Sequence, residues 1–261
     1  MSDDLELAIT AATTGARLAM EHFARLADLG REHKPDGSLV TEADRAVEAA
    51  IVGVLAGARP TDAILGEEGG QRGDDRRRWI VDPIDGTVSF AGGLDVWLVL
   101  VALESDGQVV AAVAAEPAQH RVWWAQRGAG AYVADLTDGG TGGAERIRVG
   151  TGPTTDVAAS RLGVVPGPVP LPADAHVVSR LSAVTAPLPW PDHPGLLVAR
   201  GDLDLAVQTR GKVWDFAAPS LIVTEAGGCF SGLAGQQHPH SGPALYSRDP
   251  DLHRAALAYL A

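Results

Sequence analysis

Trp79-Ile-Val-Asp-Pro-Ile-Asp-Gly-Thr87 is the stretch on which the interpretation of this chain depends. A compact apolar run that ends at a turn is typical of a β-strand. Pro83 fixes its own φ angle and favours an extended conformation at Asp82, and Gly86 permits backbone angles that other residues avoid. The sequence therefore predicts a strand followed by a stiff turn, which projects Asp82 and Asp85 and then exposes backbone N–H groups.

The chemistry of this turn follows from its two kinds of polar group. Carboxylates bind hard cations, and exposed backbone N–H groups bind phosphate oxygens. A turn that offers both at the end of one strand favours metal-assisted phosphoryl transfer over other reactions. A complete metal site would need further acidic residues from elsewhere in the chain.

Several other acidic residues could supply ligands to such a metal site. Each of them also has a simpler structural interpretation when it is considered alone. Glu67 and Glu68 stand between glycines, where two adjacent acids repel each other unless a cation binds, and a solvated acidic turn is an equal alternative. Asp215 begins an apolar helix, a position typical of an N-cap. Thr41 and Asp44 have the spacing of a capping box, with Asp in place of the usual Glu.

Composition limits the classes of protein to which the chain can belong. The chain has 261 residues, of which 46% are hydrophobic, enough for one large domain or two smaller ones. Its formal net charge is −12, from 33 acidic and 21 basic residues, and such a charge disfavours binding to nucleic acid. We expect part of that charge to belong to a cation site, because clustered carboxylates count as negative until a metal binds.

Cellular context is inferred from the cysteine content and the apolar runs. Cys229 is the only cysteine, so the chain can form neither an intramolecular disulfide nor a thiolate zinc cluster. The apolar runs are far shorter than the roughly 20 residues of a membrane helix. The acidic N-terminus lacks the basic start of a secretory signal. We expect a soluble, cytoplasmic protein with no membrane partner.

Hydrophobic periodicity predicts a mixture of helices and strands. Asp106-Gly107 is a hairpin signal between two strands, so antiparallel pairing is expected there. A segment rich in Gly, Pro and Thr at 134–172 favours a domain boundary, between an α+β domain (1–145) with most metal ligands and an α/β domain (146–261) with Asp215 and the recognition elements. The expected helices are 3–29, 42–56, 213–226 and 249–260, and the expected strands are 79–81, 97–104, 109–115, 121–125, 175–178 and 196–199.

Together these motifs resemble the inositol monophosphatase family over nearly the whole chain. The resemblance implies an α/β fold, a layered αβαβα sandwich, and Mg²⁺-dependent hydrolysis of a small-molecule phosphate monoester. It also implies a homodimer and sensitivity to Li⁺. The matching motifs, in the family's order and approximate spacing, are Lys34…Val40-Thr41-x-x-Asp44, Gly66-Glu67-Glu68, Asp82-Pro-Ile-Asp-Gly-Thr87 and Trp214-Asp215…Glu225-Ala-Gly-Gly228.

The resemblance further implies a role for each matching residue. One Mg²⁺ is expected on Glu67, Asp82 and the carbonyl of Ile84, and a second on Asp82, Asp85 and Asp215. A weaker third metal would contact Glu67 through water, and all-oxygen ligands favour Mg²⁺ or Mn²⁺ over Zn²⁺. The remaining implied roles are an attacking water oriented by Asp44 and Thr87, a phosphate held by the N–H groups of Gly86 and Thr87, and a supporting position for Glu68.

Substrate recognition is where the chain departs from the family pattern. The family has a polar residue and then Asn-Phe where this chain has Val88-Ser89-Phe90, and it has a substrate-contacting Glu where this chain has Gln208. Trp190, Asp192 and His193 lie in a proline-dense loop, for which a surface turn is the alternative, and we expect Trp190 to stack on a base or an imidazole. The expected substrate contacts are Gly86, Thr87, Ser89, Trp190, Asp192 and Gln208.

Several local phrases resemble the histidinol-phosphatase branch of the family, among them His33-Lys-Pro-Asp36, Trp123-Trp124 and Val213-Trp-Asp-Phe-Ala217. Histidinol phosphate is therefore the first candidate substrate, although Gln208 offers no full negative charge to its ammonium group. A nucleoside monophosphate and inositol 1-phosphate follow. A non-catalytic relative that binds metal or phosphate is a second class, against which the retained site residues argue. A nucleotidase for 3′-phosphoadenosine compounds is a third, for which the chain is short.

Overall fold

The computed structural model of the chain contains a large and a small β-sheet with helices on both faces of each, and a separate two-stranded antiparallel sheet formed by residues 31–33 and 39–41. It describes residues 1–73, 76–137, 140–152, 156–165, 172–185 and 187–260. The helices are α1 (Asp3–Phe23), α2 (Glu42–Ala58), α3 (Thr87–Ala91), α4 (Pro172–Ser182), α5 (Pro194–Arg200), α6 (Val213–Glu225) and α7 (Pro250–Leu260). The strands are β1 (Arg31–His33), β2 (Leu39–Thr41), β3 (Ala63–Gly66), β4 (Gly70–Arg72), β5 (Arg77–Asp85), β6 (Leu98–Ser105), β7 (Gln108–Glu116), β8 (Arg121–Gln126), β9 (Gly130–Thr137), β10 (Gly140–Ile147), β11 (Leu162–Val165), β12 (Leu205–Gln208), β13 (Cys229–Gly232) and β14 (Ala244–Ser247).

The large sheet has eight strands in the order β10-β9-β8-β7-β6-β5-β3-β4. Its neighbouring strands are antiparallel except for β3 and β5, which run parallel. The turn between β6 and β7 has positive φ angles, 50° at Asp106 and 76° at Gly107. Two positive φ angles in a two-residue loop are typical of a type I′ turn, whose twist matches that of the strands it joins. The predicted antiparallel hairpin is confirmed.

The small sheet has four strands in the order β11-β12-β14-β13, and only β11 and β12 within it are parallel. The strand β12 ends at Gln208, and the chain then leads into α6. The N-terminus of α6 therefore lies close to the end of β12. Gln208 and Asp215 accordingly line the same pocket.

Three hydrophobic clusters hold the layers together. Helices α1 and α2 pack on one face of the large sheet, where Ile51 meets Trp79 and its neighbours. Helices α5 and α6 lie between the two sheets, with Phe216 in the centre of that layer. Helices α4 and α7 cover the outer face of the small sheet, where Leu252 packs with Leu245. Each apolar face is covered by another layer, and the expected αβαβα sandwich is confirmed.

Two predicted strands are wrong. The segments 175–178 and 196–199 lie inside α4 and α5. A run of four apolar residues does not distinguish a buried helix from a strand. The boundaries of α5 did carry helix signals, because Pro194 occupies its first turn and Gly201, with a φ angle of +89°, follows its last residue.

The other predicted elements are present with shifted ends. The first helix stops at Phe23 and is followed by a 3₁₀ turn at Leu26–Asp28. The proposed domain boundary stays a prediction, and residue 145 falls inside β10, which pairs with β9. Positions 138–139, 153–155 and 166–171 of the predicted boundary segment lie outside the described residues. Among the helices described, none is both long and apolar enough to cross a membrane.

Candidate active site

Strand β5 ends in a bulge that separates Asp82 from Asp85. Asp82 lies opposite Leu100 of β6, whereas Asp85 lies opposite Leu98, so the register shifts between the two aspartates. Pro83 lies within this irregular part of the strand, where its missing N–H disturbs no regular ladder. The sequence thus folds locally as predicted, with a strand that leads directly into two carboxylates.

Asp215 joins the two aspartates from α6. It lies in the first turn of the helix, and its carboxylate accepts the backbone N–H of Lys212. One carboxylate oxygen from each of Asp82, Asp85 and Asp215 lies within 4.8 Å of the others. Three acids so close together repel one another unless a cation lies between them. Asp215 is therefore not the N-cap of α6, which is Lys212; its carboxylate caps the helix from the third helical position and also belongs to this cluster.

Gly86 turns the chain from β5 into α3. Its φ angle is +89°, and a Cβ atom there would lie 3.4 Å from the carbonyl oxygen of Val96 and 3.5 Å from Trp97. The space would accept a Cβ atom, so it is the left-handed backbone conformation that requires glycine. Thr87, the first residue of α3, follows at once, and both Gly86 and Thr87 line the pocket described below.

The Glu67-Glu68 turn is held in place from α2. The buried carboxylate of Glu48 accepts the backbone N–H of Glu68 at 2.8 Å and that of Gly69 at 2.6 Å. Charge-assisted bonds of this kind are stronger than neutral ones. A Cβ atom at Gly66 would lie 2.6 Å from the same carboxylate. Sequence analysis missed this support, although Glu48 follows Asp44 by one helical turn on the same face of α2.

Lys34 places its ammonium beside these two acids from the turn between β1 and β2. Its Nζ lies 2.8 Å from Oε1 of Glu67 and also forms an ion pair with Glu68. Burial of the amine is outweighed by the two carboxylates, which raise the pKa of Lys34. Glu67 lines the pocket, whereas Glu68 does not. The sequence motif included Lys34 without a role for it, and the structure makes it the counter-ion of both acids.

Asp44 of α2 contacts Thr87 at the start of α3, although Asp44 itself is buried and does not line the pocket. Oδ2 of Asp44 accepts the backbone N–H of Thr41 at 2.7 Å and its hydroxyl at 2.6 Å, which confirms the predicted capping box. Oγ1 of Thr87 lies 3.1 Å from Oδ1 of Asp44 and 3.1 Å from the carbonyl oxygen of Ile84. Its single hydrogen can serve only one of these acceptors at a time. Burial raises the pKa of Asp44 against the bonds from Thr41 and Thr87.

The charges of the cluster indicate what it can bind. Burial raises the pKa of Asp215 to about 6 and that of Glu67 to about 7, in spite of nearby N–H and ammonium donors. Burial and mutual repulsion raise the pKa values of Asp82 and Asp85 well above their usual range. Oδ1 of Asp82 is buried without a hydrogen-bond partner among the described residues. A set of oxygen ligands with one such oxygen at its centre fits a divalent cation such as Mg²⁺ or Mn²⁺.

The cluster forms one side of a pocket of about 410 Å³. Residues of the second half of the chain form another part of its wall. That wall consists of Val165, Trp190, His193, Gln208 and Arg210. The residues expected from the sequence that line the pocket are Glu67, Asp82, Ile84, Asp85, Gly86, Thr87, Ser89, Trp190, Gln208 and Asp215.

Asp192 is an expected substrate contact that the structure places elsewhere. Its side chain is fully buried, does not line the pocket, and forms ion pairs with Arg121 at 2.7 Å and Arg200 at 3.3 Å. It therefore joins β8 to α5 beneath the pocket wall, and direct contact with a substrate is corrected to a structural role. The loop instead turns His193, the next residue, toward the pocket.

A sequence model of the inositol monophosphatase family matches residues 1–260 of the chain. The chain belongs to the inositol monophosphatase family. Among similar members, a histidinol-phosphatase from Streptomyces coelicolor is 38% identical over 264 residues, which cover 99% of this chain and 97% of the relative. An inositol-1-monophosphatase from Mesorhizobium japonicum is 30% identical over 264 residues, covering 97% of this chain and 94% of the relative. A crystal structure of the extragenic suppressor protein suhB from Bartonella henselae superposes with a TM-score of 0.85 at 26% identity, over 99% of this chain and 98% of that one.

Membership of the inositol monophosphatase family confirms the expected fold and enzyme class. The family consists of metal-dependent phosphoric monoester hydrolases, and the acidic cluster of this chain is a site that could bind such metals. The substrates of the family are small phosphate monoesters, in agreement with the size of the pocket. The acidic cluster and its pocket are therefore the candidate active site of a phosphatase.

Proposed function

We propose that this protein hydrolyses histidinol phosphate and uses Mg²⁺ as its cofactor. The observation that carries the proposal is the convergence of Asp82, Asp85 and Asp215 within 4.8 Å beside a pocket. A phosphate monoester carries almost two negative charges near neutral pH, because its second pKa is about 6. Bare carboxylates would repel such a substrate, so the site suits it only when cations lie between the two.

Two Mg²⁺ ions are proposed for the site, with a weaker third on Glu67. The first would be held by Glu67, Asp82 and the carbonyl of Ile84, and the second by Asp82, Asp85 and Asp215. All five residues line the same pocket. Mg²⁺ in such a site neutralises the phosphate, acidifies a bound water and stabilises the leaving alkoxide. Mn²⁺ prefers the same oxygen ligands and is expected to substitute for it.

Asp44 and Thr87 are proposed to orient the attacking water. The hydroxyl hydrogen of Thr87 has two acceptors at 3.1 Å, the Asp44 carboxylate and the Ile84 carbonyl. With the Ile84 carbonyl engaged as a metal ligand, that hydrogen would be left to Asp44. The oxygen of Thr87 then accepts a hydrogen from the water and directs a lone pair of the water at phosphorus. Glu68 supports this arrangement from outside the pocket, through its ion pair with Lys34.

The backbone N–H groups of Gly86 and Thr87 are proposed to bind the phosphate. Gly86 has the positive φ angle that turns the chain at this point, and Thr87 is the first residue of α3. The first N–H groups of a helix have no partner within it and are suited to anionic oxygens. Ser89, two residues after Thr87, also lines the pocket and is proposed to offer its hydroxyl to the same substrate.

Histidinol phosphate is chosen because of the sequence identity of this chain to a histidinol-phosphatase and because of one feature of the pocket. The histidinol-phosphatase of S. coelicolor is more similar to this chain than the inositol-1-monophosphatase of M. japonicum is, at 38% against 30% identity. Nε1 of Trp190 donates to the carbonyl of Val164 at 3.0 Å, so the indole ring is held in the pocket wall. A fixed ring supports stacking on an imidazole.

The proposal is tested by a phosphate-release assay with Mg²⁺ over four kinds of substrate. These are histidinol phosphate, inositol 1-phosphate, nucleoside 5′-monophosphates and 3′-phosphoadenosine 5′-phosphate. We expect the highest kcat/KM for histidinol phosphate and loss of all activity in EDTA. A higher value for another of the four would reassign the substrate within the same reaction. No release from any of them, with metal bound, would instead favour a non-catalytic binding protein.

Two further features belong to this proposal. We propose a homodimer in the cytoplasm, supported by the likeness to the family alone. Light scattering coupled to size-exclusion chromatography measures the mass of the assembly directly and so tests the homodimer. A mass close to that of one chain, 27.0 kDa, would contradict the dimer.

A further inference from the structure

Glu48 of α2 is a buried acid that has no direct part in the proposed reaction, because its side chain does not line the pocket. The residue is 5% exposed. Its two carboxylate oxygens accept the backbone N–H groups of Glu68 at 2.8 Å and of Gly69 at 2.6 Å. A buried carboxylate is unfavourable unless its oxygens are hydrogen-bonded. These two charge-assisted bonds therefore fix the side chain of Glu48 and the backbone at 68–69 against each other.

The glycines on both sides of Glu67-Glu68 make room for this carboxylate. A Cβ atom at Gly66 would lie 2.6 Å from the carboxyl group of Glu48, and one at Gly69 would lie 2.7 Å from its Oε1. Neither glycine has a positive φ angle, so the backbone conformation does not require glycine at these two positions. The close approach of Glu48 does require it. The segment from Gly66 to Gly69 is thus shaped to receive an acid from α2.

The loop that Glu48 contacts is the three-residue connection between β3 and β4, at positions 67–69. Its first residue, Glu67, is attached to the large sheet through its own N–H, which donates to the carbonyl of Val81 at 3.2 Å. The next two N–H groups of the loop donate to Glu48. The path of the backbone after Glu67 therefore depends on Glu48, and so does the direction in which the Glu67 side chain points.

Helix α2 carries a second buried acid one turn before Glu48. Asp44 is fully buried, and its Oδ1 lies 3.1 Å from the hydroxyl oxygen of Thr87. Residues four apart lie on one face of a helix. One face of α2 thus contacts both Thr87, which is proposed to orient the attacking water, and the loop of Glu67, a proposed ligand of the first Mg²⁺. A single helix that contacts both fixes their relative position.

We infer that Glu48 is a positioning residue for the first metal ion, because it holds the 67–69 loop against α2 and so directs the carboxylate of Glu67 toward the acidic cluster. Glu48 itself touches neither metal nor substrate. The inference rests on the proposed function, since Glu67 is a ligand only if the site binds Mg²⁺. The apparent affinity for a ligand falls with the fraction of molecules that hold the competent conformation. Loss of the Glu48 contact should therefore weaken the binding of Mg²⁺.

Two other interpretations of Glu48 predict different results. If Glu48 only stabilises the fold, its replacement lowers the melting temperature without changing the affinity for Mg²⁺. If Glu48 acts only through its negative charge, as a long-range attraction for the cation, a change that keeps the charge leaves the affinity unchanged. A positioning role requires the contact itself, so the affinity falls whether the charge or the fit of the contact is altered.

Glu48→Gln and Gly69→Ala alter the same contact in two independent ways. The amide of Gln presents a donor to one of the two backbone N–H groups, so one of the two hydrogen bonds is lost. Ala at position 69 keeps every charge, but its Cβ atom and the Glu48 carboxylate cannot both stay 2.7 Å apart, so either the carboxylate or the loop moves. The second variant therefore separates position from charge.

Each variant has a matched control elsewhere in the chain. The carboxylate of Glu225, at the end of α6, likewise accepts two backbone N–H groups of a turn, from Gly128 at 2.8 Å and from Gly130 at 2.9 Å. None of these three residues lines the pocket, so Glu225→Gln repeats the chemical change where no proposed ligand is held. A Cβ atom on Gly53 of α2 would meet no described atom within 4 Å beyond its own helix backbone. Gly53→Ala is therefore the control for Gly69→Ala.

The measurement is a calorimetric titration of Mg²⁺ into metal-free protein without substrate, which reports binding independently of turnover. We expect the Mg²⁺ concentration at half-saturation to rise about tenfold in both Glu48→Gln and Gly69→Ala, the lower end of the effect typical of residues that orient metal ligands. Glu225→Gln should lower the melting temperature, yet it and Gly53→Ala should bind Mg²⁺ as wild type does. At saturating Mg²⁺ the ion itself holds Glu67, so kcat of the two contact variants should fall less than their affinity does.

An unchanged affinity in both contact variants would overturn the inference. A loss in Glu48→Gln alone would assign the effect to charge, and an equal loss in Glu225→Gln would assign it to general destabilisation; either result would overturn it too. If circular dichroism shows that Glu48→Gln does not fold, Gly69→Ala decides.

Failure of the proposed function has a different signature. Wild type would then bind Mg²⁺ but release no phosphate from histidinol phosphate, and the comparison of affinities would still decide the role of Glu48. A wild type that binds no Mg²⁺ at all would refute both the metal site and the positioning role.

Discussion

Asp82→Asn is expected to stabilise the metal-free protein at pH 8 and to abolish its thermal response to Mg²⁺. Asp82 is 1% exposed and has a carboxylate oxygen with no hydrogen-bond partner among the described residues. Its charge is opposed by burial first, and then by Glu67, Asp85 and Asp215. An amide of the same shape removes that repulsion but is a poorer ligand for Mg²⁺ than a carboxylate.

The magnitude follows from the raised pKa values of the neighbouring acids. Burial raises the pKa of Asp215 from 3.8 to about 6 and that of Glu67 from 4.5 to about 7. Each pKa unit corresponds to about 1.4 kcal/mol, so each raised acid opposes folding by about 3 kcal/mol at pH 8, and the coupled effects do not simply add. Loss of one charge from the cluster should therefore return about 2 kcal/mol to the metal-free protein, or about 4 °C in melting temperature.

The pH dependence has a definite sign. Between about pH 4 and pH 7 the folded metal-free protein binds more protons than the unfolded chain, because its acids have raised pKa values. The stability of metal-free wild type therefore falls as pH rises through this range, and Asp82→Asn should fall less. Mg²⁺ binds the deprotonated carboxylates, so it should stabilise wild type more at pH 8 than at pH 5.5.

Thermal unfolding of wild type and Asp82→Asn, with EDTA or with excess Mg²⁺, measures these effects. A cation at 100 times its Kd stabilises by about 2.7 kcal/mol, which for a chain of this size is about 5 °C. Asp28→Asn, which removes one charge from an exposed surface position, is the control and should respond to Mg²⁺ as wild type does. The reasoning is refuted if Asp82→Asn melts at a lower temperature than wild type in EDTA, or if it keeps the full response to Mg²⁺.

Three further predictions concern single residues around the pocket. Thr87→Val should lower kcat at least 100-fold, the usual contribution of a positioned proton-transfer group. Thr87→Ser keeps the hydroxyl and should retain most of the wild-type kcat. Equal losses of kcat in the two variants would show that the hydroxyl takes no part in the mechanism. Gly86→Ala should destabilise by about 1–2 kcal/mol in thermal unfolding, because its φ angle is +89°; unchanged stability and kcat would show that the turn is not constrained. Asp192→Asn should destabilise by about 2 kcal/mol, because Arg121 loses its carboxylate partner and Arg200 keeps only its ion pair with Asp202, while both arginines are partly hydrated. KM for the phosphate monoester should not change, and a large rise in KM at unchanged stability would return Asp192 to the substrate.

The parts of the site that come from one short segment could be predicted from the sequence. Asp82 and Asp85 follow a strand and flank a proline, and their positions depend on local backbone geometry alone. The capping box of Thr41 and Asp44 is likewise local. The approach of Asp215 is a property of the tertiary fold, since it depends on how α6 packs between two sheets. Only the resemblance to a family predicted that approach.

The parts that could not be predicted depend on packing between distant segments. Glu48 looks like any acid on the face of a helix until the Glu67-Glu68 turn is found against it. His193 and Asp192 are adjacent in one proline-dense loop, yet one lines the pocket and the other is buried against Arg121. Which of the two residues faces the pocket depends on where α5 begins and how it is oriented. The apolar pattern alone predicted a strand there instead of a helix.

The substrate side of the pocket could likewise be predicted only in part from the sequence. The replacement of a family Glu by Gln208 is visible in the sequence and indicates that a charge is missing. The structure adds that Gln208 is buried at the end of β12 and lines the pocket together with His193. The reaction class therefore follows from residues that the sequence reveals, whereas the surroundings of Gln208 are set by the fold.

Phosphate release by metal-stripped protein, titrated with Mg²⁺ in the presence of histidinol phosphate, tests the central claim most directly. Wild type should release no phosphate before Mg²⁺ is added, and activity should then rise and saturate, while Asp82→Asn stays inactive over the same range because a ligand of both proposed ions is altered. Release of phosphate by stripped wild type, or equal activity of wild type and Asp82→Asn at saturating Mg²⁺, would contradict a metal-dependent reaction at this cluster.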